Sequence, residues 1–327
     1  MKPAARLALG GLAGLAIVTA LVAHAGAPLV GRAIAAVGWA GFGLFCLAWA
    51  PVIAILGAAW TAAAPGLPRP LLWTPYWARL LREAVAEILP LAQLGGLVAG
   101  VRALIAAGAP ESLAVASAMV DLLAEMTAQA VYTLLGLGLI AGRLNSETST
   151  QILGPALASL ALLIVVAAAL LPSQRRLVAW VAKLGGRWLP DSVARGEAVG
   201  DVLDQIYTRR GRVALSIVLH LGGWIASSAT SWLALRLMGA EVDLWTVVAV
   251  ESLMFAIRNI GFALPGGLGV QEGAYWLLAP LMGVAPTDAL ALSLLKRARD
   301  LVVGAPVLLL WQVQEGRLLL RRQSAKP

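Results

Sequence analysis

Apolar positions run along this chain in long stretches, at roughly residues 7 to 24, 34 to 62, 112 to 141, 151 to 171, 213 to 238 and 287 to 312. A helix needs about 20 residues to cross bilayer hydrocarbon, so each stretch predicts a membrane span. Two further apolar regions, 73 to 108 and 244 to 284, are interrupted near their middles by proline and glycine. Backbone amides without helical partners are costly in hydrocarbon, so such breaks are expected only against protein or water. In the first run, Lys2 and Arg6 precede an apolar stretch ending in Ala23-His24-Ala25, a pattern that also fits a cleavable signal peptide. It is read as a retained span, because the next span needs the chain already outside.

Composition agrees with this pattern. Of 327 residues, 60% are hydrophobic and 13% charged, and the mean hydropathy is +0.83. One soluble core could not hide that much apolar surface. The net charge of +8 fits loops facing anionic lipid headgroups. No basic stretch interleaves with aromatics in a soluble module, so no nucleic-acid partner is expected. Cys46 is the single cysteine and has no internal disulfide partner. Several tryptophans, Trp39, Trp73, Trp77, Trp188, Trp245 and Trp311 among them, fall near span ends, where an aromatic belt would sit.

Charge placement orients the spans. The segment 172 to 212 holds Arg175, Arg176, Lys183, Arg187, Arg195, Arg209, Arg210 and Arg212, and the C-terminal tail holds Arg317, Arg321, Arg322 and Lys326. Both are expected to be cytoplasmic, the first as a basic loop. With the N-terminus also inside, parity makes 73 to 108 begin and end inside, and 244 to 284 begin and end outside. Each is then a re-entrant hairpin or a pair of full crossings.

The halves also resemble each other. Leu89-Pro90 and Leu264-Pro265 are each followed by glycines: Gly95, Gly96 and Gly100 in one, Gly266, Gly267, Gly269 and Gly273 in the other. The offset is 175 to 176 residues, and it also superposes the second span on 213 to 238. The expected fold is a single all-α polytopic membrane domain over 1 to 327. Within it, residues 34 to 141 and 213 to 312 form an inverted repeat of span, broken hairpin and span, a plan that recurs in secondary transporters.

Ionisable residues inside spans are costly and mark candidate sites. Lys296 and Asp300 stand four apart and are expected to neutralise each other. Arg297 and Arg299 then need partners elsewhere. Glu272 is one, and Asp121 with Glu125 offers two more, since the repeat offset sets Asp121 on Arg297 and lets the acidic and basic helices face one another. Arg258, seven after Glu251, is expected to hold the outer hairpin, and Arg102 the inner one. Arg79, Glu83 and Glu87 read as the wet face of an interfacial helix. His220 reads as a packed span residue and His24 as a boundary residue. No nucleophile–base spacing, phosphate-binding loop or zinc spacing occurs, so no enzyme activity, cofactor or metal is expected.

The run from Leu264 through Pro265, Gly266, Gly267, Gly269 and Glu272 to Gly273, followed by Leu294-Leu295-Lys296-Arg297-Ala298-Arg299-Asp300, resembles the flippase-like family named for the transmembrane region of lysylphosphatidylglycerol synthase. With Leu310-Trp311-Gln312 it is most similar to the branch associated with hopanoid biosynthesis (HpnL-like). The resemblance covers most of the chain and is specific in 255 to 312. It implies a multi-span lipid-handling protein, and the chain ends too early for the soluble aminoacyl-transferase domain of full synthases.

The expectation is a multi-pass protein of a bacterial inner membrane, with both termini cytoplasmic, that transports or flips membrane lipids. A hopanoid or anionic phospholipid headgroup would sit near Glu272, Arg297 and Arg299. The alternatives are an accessory subunit presenting lipid to a lipid-modifying enzyme, and a scaffold for lipid-biosynthesis enzymes.

Overall fold

The computed structural model describes residues 27–88, 92–141, 146–185, 192–258 and 269–324, together with Thr19. Among them no strand occurs, and the chain is an all-α membrane protein. The apolar run at 7 to 24 and the prolines Pro90 and Pro265, with Gly266 and Gly267, lie outside the described residues.

Helices α1 (Ala27–Leu47) and α2 (Trp49–Ala63) follow each other with one residue between them. Together they carry the 36-residue apolar stretch Pro28–Ala63. After a 3-10 turn at Arg69–Leu71 come two short helices, α3 (Thr74–Ile88) and α4 (Ala92–Ala106). Then follow α5 (Glu111–Ala141), α6 (Ser146–Gly185), α7 (Ser192–Thr208) and α8 (Arg210–Leu237). The second short pair is α9 (Leu244–Arg258) and α10 (Val270–Leu278), and α11 (Pro286–Ser324) closes the chain.

Among the described residues, three helices are long and apolar enough to cross a membrane: Pro28–Ala63, Glu111–Ile140 and Arg210–Leu237. Helices α6 and α11, with 40 and 39 residues, have the length as well. Helices α3, α4 and α9 have 15 residues each. At 1.5 Å per residue they reach about 22 Å, short of the roughly 30 Å of hydrocarbon. As described, each is shorter than a full crossing, the length that an arm of a re-entrant hairpin would have. Three long helices, α5, α6 and α8, separate the hairpins. If all three cross, the hairpins enter from opposite faces, as the inverted repeat expects.

Glycine makes the first hairpin close. A Cβ on Gly96 would lie 2.6 Å from the backbone oxygen of Arg82, and one on Gly100 would lie 2.7 Å from the ring of Trp60. Helices α3 and α4 therefore pack backbone to backbone. One buried core surrounds this hairpin, built on Trp60, Leu81, Val85, Ala99 and Leu104. A second surrounds α9 and α10, built on Phe45, Val250, Leu253, Tyr275 and Leu292. Outward-facing positions are apolar, as hydrocarbon requires: Leu162, Val165, Val218 and Leu309 are all 60% to 63% exposed.

The segment 172 to 212, expected as a basic loop, is mostly helix. Helix α6 continues through it to Gly185, and α7 fills Ser192–Thr208. Its charges had hidden its helical register. Trp39, Trp73 and Trp245 are exposed, as belt residues would be, whereas Trp60 is fully buried and donates to the Ser117 hydroxyl at 3.2 Å. Trp188 lies outside the described residues.

Candidate functional site

Two buried ionic clusters tie each hairpin to the long helix that follows it. In the first half, α3 presents Arg79 and Arg82 three residues apart, on one face. Arg79 makes a two-pronged contact with Glu125 of α5, at 2.7 and 3.2 Å. It also meets Glu83 of its own helix at 2.6 Å. Arg82 donates to Asp121 at 3.0 Å and to Glu125 at 2.6 Å. His220 of α8 bonds Asp121 through Nε2 at 2.9 Å. Arg79 is 1% exposed, and Asp121 and His220 are fully buried, so these charges persist in the interior only because they are paired.

In the second half the signs are exchanged. Glu251, on the first arm α9, takes both hydrogen bonds from Lys296 of α11, each at 2.9 Å. The Lys296 ammonium also donates to the Tyr275 hydroxyl at 2.8 Å, and that hydroxyl donates to Glu251 at 2.5 Å. The ring faces of Phe255 and Tyr275 lie 5.6 and 5.4 Å from the ammonium, which adds cation–π attraction. With the Ser231 hydroxyl of α8 accepting from the ammonium at 3.4 Å, helices α8, α9, α10 and α11 meet at one buried lysine.

Glu272 explains the acid beside the glycine break. Gly269, at φ 80°, begins α10 in a conformation that favours glycine. Its amide donates to the Glu272 carboxylate at 2.8 Å, so the acid caps the helix it belongs to. The same carboxylate accepts from Arg297 at 2.7 Å and from the Ser293 hydroxyl at 3.3 Å. Gln271 in turn donates to Ser293 at 2.9 Å. Glu272 is therefore a clamp between the hairpin and α11.

A polar cavity opens between the halves. The first hairpin supplies Glu83 and Glu87, the second Gln271, and α11 supplies Lys296, Arg299 and Asp300. Space for small groups inside it is about 60 Å³. Arg299 is stacked on Trp49, its guanidinium carbon 3.9 Å from the ring centre, and donates to Asp300 at 2.7 Å. Its Nη1 is buried and has no hydrogen-bond partner among the described residues. A guanidinium held this way offers a fixed donor to an oxygen of a bound group.

The expected pairs are only partly those found. Glu272 and Arg297 do meet. Lys296 and Asp300 do not neutralise each other, because Glu251 takes the lysine and Arg299 the aspartate. Asp121 and Glu125 do not face Arg297 or Arg299, because Arg79 and Arg82 from their own half reach them first. Arg79 and Glu83 are not a wet interfacial face; the arginine is sealed against α5. His220 is packed, as expected, but inside the ionic cluster. Gly95 is exposed and Gly96 buried. Arg102 is exposed, and the Arg258 side chain and His24 lie outside the described residues. Sequence reasoning missed Glu251, Arg82, Tyr275 and Gln271 as site residues. The available signal was opposite charge at matching positions of one half: Arg79 and Arg82 three apart ahead of Asp121 and Glu125 four apart.

The chain belongs to the family described as the lysylphosphatidylglycerol synthase TM region, whose family model matches residues 6–307. No curated protein and no solved structure matches it. Membership makes this a multi-pass membrane protein linked to lipid metabolism or flipping.

Proposed function

We propose that the chain moves a polar lipid between bilayer leaflets by exposing the cavity between its hairpins to one face and then the other. The observation that carries this reading is Arg299. It is buried, fixed on Trp49, and keeps one donor without a partner among the described residues in a cavity to which both hairpins contribute. A headgroup oxygen, hydroxyl or phosphate, would satisfy that donor, while Glu83 and Glu87 would accept from a headgroup hydroxyl or amine. A hydroxylated hopanoid or an anionic phospholipid of a bacterial inner membrane has such groups. In this reading the chain is a carrier and forms no bond, and both termini lie in the cytoplasm. Drawing a polar headgroup through hydrocarbon is costly without partners, and the cavity lowers that cost.

The test is purified protein in vesicles carrying fluorescent phosphatidylglycerol, with leaflet exchange read by quenching with dithionite. Wild type should accelerate exchange, and Arg299→Gln should lower the rate at least tenfold with the fold intact. Equal rates for wild type and Arg299→Gln would remove the site. No exchange by wild type, with lipid still co-purifying, would favour presentation of lipid to another enzyme.

A further inference from the structure

We infer that the crevice between α5, α6 and α8 is a second lipid site, which holds an acyl chain of an anionic phospholipid whose headgroup rests on Arg209 and Arg210. The crevice encloses about 450 Å³ and is lined by Leu123 and Thr127 of α5, Leu163 and Ala167 of α6, Tyr207 of α7 and Ile217 of α8. That is the scale of a small-molecule pocket.

Three observations fix the occupant. The crevice has almost no polar valence to offer, since the Thr127 hydroxyl is spent on the Leu123 carbonyl at 2.8 Å and the Tyr207 hydroxyl on Gln174 at 2.7 Å. Only hydrocarbon gains by filling it. Leu162, Val165 and Val218, on the outer faces of α6 and α8, are exposed apolar residues. The crevice therefore opens toward lipid, and its occupant comes from the bilayer. At the Tyr207 end the chain continues directly into Arg209 and Arg210, both exposed and without an ion pair among the described residues. Their neighbours are already committed: Arg175 pairs with Asp201 and Asp204, and Arg212 donates to the carbonyls of Thr61 and Ala62. A phosphate held on those two arginines would leave its tail beside the crevice. The site is separate from the cavity around Arg299, although Leu123 and Ala124 on its wall adjoin Asp121 and Glu125 of the first ionic cluster.

Native mass spectrometry of the purified, delipidated protein tests this, with phosphatidylglycerol and phosphatidylcholine of identical acyl chains added as probes. Wild type should retain one phosphatidylglycerol in preference to phosphatidylcholine. Each exposed arginine is worth roughly a fivefold gain in affinity for an anionic surface. Arg209→Gln/Arg210→Gln, a surface change that leaves the fold intact, should therefore lower that preference by roughly twenty-five-fold. Ala167→Trp, which fills the crevice, should abolish retention of either lipid. Equal retention of the two lipids by wild type, or a preference unchanged in the double arginine variant, would overturn the proposal. So would a protein dimer dispersed by Ala167→Trp, which would make a second copy of the chain the occupant.

Discussion

Arg82 and Asp121 meet at 3.0 Å, binding the first arm of one hairpin to the long helix that follows it. At the Leu-Pro offset of 175 residues, the place of Asp121 is taken by Lys296, whose partner Glu251 lies on the first arm of the other hairpin at 2.9 Å. The two halves thus use the same tether with the signs exchanged. Neither half can borrow the other's partner without bringing like charges together. The exchange ties each hairpin to its own half.

Breaking one tether should cost more than deleting it. Glu251→Gln leaves the Lys296 charge buried without its counterion, and unfolding in micelles should show a loss of about 3–5 kcal/mol. Glu251→Leu combined with Lys296→Met should recover most of that stability. A double variant as unstable as the single one would show that the pair is not an isolated electrostatic unit.

Gly96 and Gly95 should behave as opposites. Alanine at 96 sets a Cβ 2.6 Å from the Arg82 backbone oxygen and should cost about 1–3 kcal/mol through overpacking. Alanine at 95 meets only Val85, at 3.5 Å, and should be neutral or stabilising. Thermal unfolding of the two variants under one condition makes the comparison, and similar losses would contradict the backbone contact between α3 and α4.

Glu272 acts as both cap and counterion. Glu272→Gln keeps an acceptor for the Gly269 amide but removes the charge facing Arg297. Glu272→Ala removes both, and should be less stable than the glutamine variant by about 1 kcal/mol, the usual worth of a helix cap. Equal stabilities would deny the cap.

Opposite orientation of the hairpins is open to labelling. In a Cys46→Ser background, Ala107→Cys follows the first hairpin and Ala285→Cys the second, and both positions are exposed. An impermeant maleimide should reach them from opposite faces of the membrane.

The long helices of the described residues, and the pairs of shorter helices flanking the two Leu-Pro positions, were legible in the sequence, because an apolar run of spanning length and its interruption are local signals; the breaks themselves lie outside the described residues. The pairing of charges was not. Which turn of α3 meets which turn of α5 is decided by packing, and packing there depends on Gly96 and Gly100 letting two backbones touch. Arg79 and Glu83 would show the same four-residue spacing on a wet interfacial helix as in a sealed cluster. Lys296 and Asp300 likewise share a face by spacing, yet Glu251, forty-five residues away, is the lysine's partner. Glu272 was legible as an unusual acid, and its link to Arg297 followed from cost alone. Its capping bond depends on the backbone at Gly269, which spacing does not reveal.

Access to the cavity between the hairpins tests the central claim most directly. Ser227 lines that cavity and is buried, and Ser227→Cys in a Cys46→Ser background is a conservative probe. If the cavity opens to each face in turn, a membrane-impermeant thiol reagent should modify this cysteine from either side of the vesicle. Modification from one side only, or from neither, would contradict alternating access.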